Sequence, residues 1–458
     1  MASTNPARGT RDFLPADVRK REYVIGIIKR VYESYGFEPL ETPAFENLET
    51  LTGKYGEEGG QLMFKILKRG EKLVQSASFS SSERDESRTL NDLADLALRY
   101  DLTVPLARVV ANNRNKLPVL FKRYQIQPVW RADRPAKGRY REFYQCDVDW
   151  IGSTSPVVEA ELISAAAKVL SELGFHDAVF RLNDRRLLTG ILDACQIVTD
   201  LHSDALVALD KLDKIGSDGV AKELAARGIS STAADALLDL FSTLSTMNNA
   251  EKLTHLRSFV GQNEDGVAGL ESLEQILNFG ISDLKLNVDP SLARGLSYYT
   301  GMIVEVNVPD LAGSLAGGGR YDGLIGMFGK EQIPACGLSL GLERILVVMD
   351  ERRMFPPEIA ESTPADVLVT IHAENTAAES LKFAAELRAA GIRTTVYPDA
   401  DKLGKQLKYA ASINVRAVCI LGESEIAAGT VTIKNMLTGE QQTIERASAA
   451  SFIRGESD

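Results

Sequence analysis

Residues 122–151, KRYQIQPVWRADRPAKGRYREFYQCDVDWI, restrict the folds open to this chain more than any other stretch. Two β-rich halves flank Arg134-Pro135-Ala136-Lys137-Gly138-Arg139, where proline and glycine interrupt a continuous ladder and mark a turn. The spacing predicts a long antiparallel hairpin. On its second strand, alternation puts Arg141, Phe143, Gln145, Asp147 and Asp149 on one face. Tyr140, Tyr144, Cys146, Val148 and Trp150 point the other way and supply a packing side. Residues 122–141 carry seven basic side chains and one acidic one, Asp133. A face of arginine, one aromatic ring and carboxylates is poor core material, because unpaired buried charge is costly. A solvated face of an antiparallel sheet looks the same, so the hairpin alone leaves a binding face and a bland surface both open.

Upstream, Arg8-Gly9-Thr10-Arg11-Asp12-Phe13-Leu14-Pro15 is turn-rich, and Asp17 is expected to cap a helix over 18–35 that stops at Gly36. An extended segment at 37–43, interrupted twice by proline, belongs at an edge or interface. A strand is expected over 62–67 and a loop insertion over 76–87, serine-rich and charged. Residues 96–105 read as a strand passing into a helix, with Asp101 and Thr103 on one face. Short polar side chains there make a helix cap, and the same pair suits an ammonium group.

After a helix over 157–173, residues 176–287 break into short amphipathic pieces at 203–212, 219–227, 233–244 and 271–277, which reads as a helical insertion. Then come Leu292-Ala293-Arg294-Gly295-Leu296-Ser297-Tyr298-Tyr299, a strand over 302–308, and the glycine-rich runs at 317–323 and 337–341. Glycines at such spacing serve hairpin turns, close strand packing or close approach of backbone to a ligand. No GxxxxGK[ST] occurs, and no GxGxxG follows a strand in a dinucleotide unit. Prolines 356, 357 and 364 mark a linker, and beyond it strands over 367–371, 393–397 and 417–421 alternate with helices over 375–390 and 402–414. That alternation predicts a small α/β domain with a largely parallel sheet.

The length of 458 residues allows two to four domains. Cys146, Cys195, Cys336 and Cys419 are isolated, as are the four histidines, so neither a disulfide framework nor a zinc site is indicated. No apolar run reaches membrane-spanning length and the start lacks the apolar core of a secretory signal, so a cytoplasmic protein with no membrane partner is expected. A net charge of −11 argues against indiscriminate binding to polyanions, though a local basic island still holds phosphates. Arg131, Arg141, Arg294 and Arg344 recur beside glycine loops or on the hairpin, and arginine forks match phosphate oxygens. No Ser-His-Asp or Cys-His arrangement suggests a covalent nucleophile, which leaves binding and transfer of part of a nucleoside triphosphate by positioning and charge.

Six segments resemble the histidyl-tRNA synthetase family of class II aminoacyl-tRNA synthetases. RGTRDFLP is similar to its N-terminal signature and YGFEPLETPAFE to motif 1, with Pro43 at the dimer interface; WRADRPAKGRYREFYQ resembles motif 2 and CGLSLGLERI motif 3. ARGLSYYTG and GGGRYDGL resemble the two histidine-specific signatures. The resemblance implies an α+β fold: a class II antiparallel sheet with flanking helices, a helical inserted domain, and a C-terminal α/β anticodon-binding domain. It implies catalytic segments 1–175 and 288–355 around an insertion 176–287, a linker 356–364 and an anticodon domain 365–458.

By the same resemblance the chain is expected to activate L-histidine with ATP and Mg²⁺ and to transfer it to tRNA(His) as a homodimer. Arg131 would meet the α-phosphate and substrate carboxylate, Arg344 the far end of ATP, and Phe143 the adenine, with Arg141 nearby. Asp133 falls in the ATP set, although many class II motifs have glutamate there. Asp101, Thr103 and Gln145 would hold the amino acid, Asp149 and Tyr299 the two imidazole nitrogens, and Tyr298 and Tyr321 would line and close the pocket. Arg294 would offset charge at the α-phosphorus. No residue is assigned as a metal ligand. The alternative is a non-catalytic synthetase-like regulatory subunit of histidine biosynthesis, which is expected to erode these signatures.

Overall fold

The computed structural model describes residues 4–77, 93–280, 285–293, 298–360 and 363–455. They form two compact units, Met1–Phe355 and Pro356–Asp458. The strands in chain order are β1 Glu38–Pro39, β2 Phe45–Asn47, β3 Lys65–Leu67, β4 Ala94–Leu98, β5 Phe121–Trp130, β6 Glu142–Ile151, β7 Val179–Asp184 and β8 Lys285–Val288. They continue with β9 Met302–Asn307, β10 Ala316–Arg320, β11 Ala335–Gly341, β12 Val367–Val369, β13 Thr394–Val396, β14 Ala417–Ile420, β15 Thr430–Asn435 and β16 Gln441–Glu445.

The first unit is built on a sheet ordered β1-β5-β6-β11-β10-β9-β7-β8, antiparallel except at its two edges, where β1 runs parallel to β5 and β8 to β7. The expected hairpin is β5–β6, in register from Phe121↔Ile151 to Trp130↔Glu142. Cys146 and Val148 are fully buried under helices Pro15–Ser34 and Val157–Glu172, while Gln145, Asp147 and Asp149 face the other way. Alternation stops one residue short of the expectation. The strand begins at Glu142, so Arg141 lies outside the pleat and its stem packs on Gly9 instead.

The first helix starts at Pro15, three residues before the expected position, because proline is tolerated in a first turn whose N–H groups have no helical acceptor. Asp17 is therefore not the cap residue; it sits inside the helix and accepts the Leu14 N–H at 3.1 Å. The strand expected over 62–67 is shorter, since Gly56–Leu62 is helical and only Lys65–Leu67 pairs with β4. Ser76 and Ala77 belong to the helix Glu71–Ala77, and residues 78–87 of the expected serine loop lie outside the described residues.

Residues 176–287 are tied to the main sheet at both ends, with the helices inserted between. Their first and last segments are strands β7 and β8 of the main sheet, and the helices between share one continuous apolar core with it, including Leu187, Leu237 and Leu270. The helices are longer than the sequence pattern suggested, as in Leu212–Ala226, kinked at Gly216, and Glu264–Asn278. The sequence pattern did not indicate Arg185–Ala194 or Asn249–Val260.

In the second unit the sheet order is β13-β12-β14-β15-β16. The three expected strands are parallel, but β15 and β16 add an antiparallel hairpin, so the sheet is mixed. Among the described residues no helix is long and apolar enough to cross a membrane.

Candidate active site

The polar face of β6 forms the floor of an open cleft with a volume of about 240 Å³. Strands β10 and β11 extend that floor with glycine. A Cβ at Gly337 would lie 1.9 Å from Asp149 Oδ1, and one at Gly319 would lie 3.0 Å from the Tyr299 ring. Glycine on these strands is thus the room in which Asp149 and Tyr299 lie over the sheet. Gly318 faces the other way, and a Cβ there would meet the Gly337 carbonyl at 2.2 Å.

Of the expected site residues, Asp101, Thr103, Arg131, Phe143, Gln145, Asp149, Tyr298, Tyr299, Tyr321 and Arg344 line this one cleft. Asp133 and Arg141 are not on its wall. Asp133 binds Arg139 Nη2 at 2.8 Å and its carbonyl accepts Arg141 Nε at 3.2 Å, so both brace the hairpin loop. The shorter acid, one methylene short of glutamate, serves the turn. Arg294 lies outside the described residues.

Asp101 caps a helix and also lines the cleft. Its Oδ1 accepts the Val104 N–H (3.1 Å) at the start of helix Thr103–Asn112 and the Tyr55 hydroxyl (2.9 Å), while Oδ2 accepts the Tyr298 hydroxyl (3.1 Å). Burial raises its carboxyl above the ordinary value, against the lowering pull of the Val104 N–H, Tyr55 and Arg131. Arg131 is held by a bond from Nε to the Tyr100 carbonyl (3.0 Å) and stacks 4.3 Å from the Tyr100 ring and 5.2 Å from Phe143. Among the described residues no carboxylate pairs with it.

Further along the floor, the Gln145 amide donates to Ser339 Oγ at 3.0 Å and its Oε1 is buried with no donor among the described residues. Asp149 accepts the Tyr321 hydroxyl on Oδ1. Its Oδ2 lies 2.9 Å from Arg123 Nη2, close enough for an ion pair but misaligned for a hydrogen bond, so no donor reaches that oxygen among the described residues. Arg123 is fully buried and also donates to Gln125 at 3.2 Å. Burial raises the Asp149 carboxyl, and Arg123 lowers it in part. Tyr298 and Tyr321 are raised by burial and by the adjacent carboxylates, and stay neutral donors.

At the other end, Arg344 donates from Nη1 to the Ser314 carbonyl at 2.5 Å, and its stem supports the hairpin loop through Gly138, whose φ of +67° suits glycine. The N-terminus of helix Leu342–Glu351 adds partial positive charge here. Glu343 lines the same region, but its carboxylate is bound by Arg21 (2.8 Å) and by the Tyr144 N–H (3.0 Å). Arg11 stacks 3.6 Å from Tyr140 and 4.7 Å from Phe13, and Arg21 lies 4.1 Å from Phe13. The N-terminal RGTRDFLP segment thus acts as a brace for motif 3.

Reading the residues alone missed Tyr55, Arg123 and Ser339. The first carries no local signal. Arg123 and Ser339 are each opposite a β6 aspartate, Asp149 and Asp147 respectively. Arg320 of GGGRYDGL, by contrast, points away from the cleft and is a buried brace, bonded to Glu159 at 2.6 Å and Asp322 at 3.0 Å.

Among the described residues there is no cluster of three metal-ligating side chains. Magnesium commonly takes one or two carboxylates and otherwise phosphate and water. With Glu343 bound to Arg21 and Asp149 beside Arg123, the residues fit an ion that arrives on a triphosphate, not one caged by the chain.

Compared with known proteins, residues 75–345 match the family model described as histidyl-tRNA synthetase, and residues 366–456 match one described as an anticodon binding domain. A protein of Porphyromonas gingivalis named histidine–tRNA ligase is 45% identical over 458 residues, covering 99% of both chains. The crystal structure of histidyl-tRNA synthetase from Nostoc sp. PCC 7120 is similar with a TM-score of 0.78 at 29% identity, covering 100% of both chains. A Bacillus halodurans structure titled as an ATP phosphoribosyltransferase regulatory subunit/histidyl-tRNA synthetase has a TM-score of 0.72 at 19% identity, covering 92% of this chain and 100% of that one. That last likeness is one of fold alone.

Proposed function

Because this chain belongs to the histidyl-tRNA synthetase family, with the ATP-dependent histidine–tRNA ligase activity of that family, we propose an assignment of the cleft residues to its two steps. In the first step the histidine carboxylate attacks the α-phosphorus of ATP, and pyrophosphate leaves. In the second, the 3′-hydroxyl of tRNA(His) takes the histidyl group and AMP leaves.

The observation that carries the assignment is the pair of buried acceptors, Gln145 Oε1 and Asp149 Oδ2, each lacking a donor among the described residues on one face of β6. An amino acid whose own nitrogens carry protons supplies what they lack. Gln145 and Asp101 with Thr103 take the α-ammonium. Asp149 accepts one imidazole N–H and Tyr299 addresses the other ring nitrogen. Discrimination follows, because an amino acid without ring donors leaves Asp149 Oδ2 buried without a hydrogen-bond donor.

Phe143 stacks on adenine, Arg131 bridges the α-phosphate and the substrate carboxylate, and Arg344 meets the distal phosphates through its bidentate fork. Arg294 is assigned to charge developing at the α-phosphorus. Mg²⁺, carried by the phosphates, supplies further neutralisation of the triphosphate. Arg141 and Asp133 drop out of the ATP set and shape the loop that Arg344 supports. The second unit binds the anticodon. The exposed Pro43 and Phe45, following edge strand β1, support a homodimer, to be checked by a solution mass of twice 49.9 kDa. A cytoplasmic location completes the assignment.

Histidine-dependent exchange of labelled pyrophosphate into ATP tests the assignment directly. Exchange that needs histidine and accepts no other amino acid is expected. Variants of Gln145 and Asp149 that keep wild-type selectivity and histidine KM would remove it.

A further inference from the structure

Asp147 is the one carboxylate on the cleft floor with no role in the assignment above. It lies between Gln145 and Asp149 on the same face of β6, 2% exposed, and it lines the cleft. Its partners are neutral: the Gln145 amide at 3.4 Å and the hydroxyl of Ser339, opposite it on β11.

The charged and titratable groups around it are few. From β5 come Arg123, which is ion-paired with Asp149, and neutral Gln125. Asp149 on its own strand and Asp101 add like charge, Tyr299 faces it across the cleft, and Tyr32 lies on the core side. Arg99 also interacts with it electrostatically, but that guanidinium donates to Pro128, Thr42, Pro43 and Gln127. Among the described residues, two adjacent buried carboxylates therefore share one buried guanidinium. A buried charge without a partner is costly, so this floor gains from one more positive charge, and the ligand that fills it carries a ring able to bring one.

We propose that Asp147 is a further substrate-contacting specificity residue, and that histidine binds with one proton shared between the Asp147 carboxylate and the imidazole nitrogen that Tyr299 also addresses. This rests on the assignment of the cleft to histidine. The proton comes from solvent or buffer, and no covalent bond changes. Burial and the like charge of Asp149 push the Asp147 carboxyl up to about 7, against the lowering pull of Arg123. An imidazole side chain titrates near 6.5 in a model peptide, and lower in free histidine, whose α-ammonium repels a second positive charge. At pH 7.5 both groups are mostly deprotonated when apart, and the complex holds one proton between them, so binding takes a proton up. At pH 6 the two groups together hold more than one proton when apart, and binding releases the excess.

The test is isothermal titration of the full-length protein with L-histidine at pH 7.5, in phosphate and in Tris. The two buffers differ in ionisation enthalpy, so the difference in heat gives the number of protons exchanged. The wild type is expected to take up more than half a proton, and Asp147→Asn to take up at least half a proton less; the α-amino group contributes equally to both. Net release by the wild type, or equal uptake by the variant, overturns the proposal. If the variant does not fold, the wild type decides alone: uptake supports the sharing and release ends it. Pyrophosphate exchange separates the two layers. Histidine-dependent exchange without Asp147-dependent uptake ends this inference and spares the assignment, whereas exchange indifferent to histidine ends both.

Discussion

A methyl group added at Gly337 gives the sharpest test of the cleft floor. Its carbon would be centred 1.9 Å from Asp149 Oδ1 and 2.6 Å from Cγ. Ordinary contact starts near 3.4 Å, so the carboxylate must retreat by about 1.5 Å. The Tyr321 hydroxyl bonds the same oxygen and Arg123 lies 2.9 Å from the other, so a shift of that size breaks at least one of the two contacts. A hydrogen bond involving a charged group contributes about 1.5–3 kcal/mol. At 1.36 kcal/mol per tenfold, Gly337→Ala should raise the histidine KM about 10- to 150-fold. The backbone at 337 is not left-handed, so alanine adds no strain there. Phe143 and Arg344 do not touch Asp149, so the KM for ATP should change by less than about threefold, a shift worth under 1 kcal/mol. Pyrophosphate exchange with each substrate varied in turn measures both constants, and a melting curve shows whether the protein is folded. A folded Gly337→Ala protein with histidine KM within twofold of wild type would refute the steric reasoning. Gly318→Ala is the control, because its Cβ meets backbone at 2.2 Å and should lower the melting temperature rather than act on histidine alone.

Tyr321→Phe removes the hydroxyl that bonds Asp149 and should cost about 1–3 kcal/mol in histidine kcat/KM; an unchanged ratio would deny Tyr321 that role. Asp133→Asn should leave the KM for ATP within about twofold and lower stability by about 1 kcal/mol or less, since its partner Arg139 is half exposed; a tenfold ATP effect would return Asp133 to the nucleotide. Arg294→Ala should lower kcat about 100-fold or more with histidine affinity changed less, because the charge it meets develops in the transition state; a loss confined to histidine affinity would reassign it. Asp147 binds its proton more tightly in the folded chain than in the unfolded one, where its value is 3.8 against about 7. The unliganded wild type should therefore lose stability relative to Asp147→Asn as pH rises from about 4 to 7, and run parallel to it above that window. Parallel melting temperatures across the whole range would show that the carboxyl is not raised.

The hairpin and its two faces were legible because alternation and a Pro-Gly turn are local signals. Phe143, Gln145, Asp147 and Asp149 reach the cleft where the pattern put them. Arg141 does not, because one residue of irregular chain at the strand's start is enough to reverse a side chain. Residues 176–287 read as separate because composition registers helix, whereas the strands that join them to the sheet are a six-residue and a four-residue segment at their ends. The charge inventory was visible, but its pairing was not. Arg123 meets Asp149 only once register is fixed, and Asp133 meets Arg139 only once the loop closes.

Placing a charged site on a sheet face raises the question of what keeps that face open. Three features do so together. Glycine on β10 and β11 leaves the volume above the sheet to Asp149, Tyr299 and a ligand, where larger side chains would fill it. Tyrosine hydroxyls supply donors to Asp101 and Asp149 without adding compensating charge, so among the described residues the floor stays hydrogen-bonded yet electrostatically short of cations. Arg123 then offsets one carboxylate from within the sheet. A pocket fully neutralised by its own residues would hold its ligand only by shape. Among the described residues this one is left with acceptors in excess of donors, and on the proposed assignment an imidazole-bearing amino acid brings the protons that close the difference.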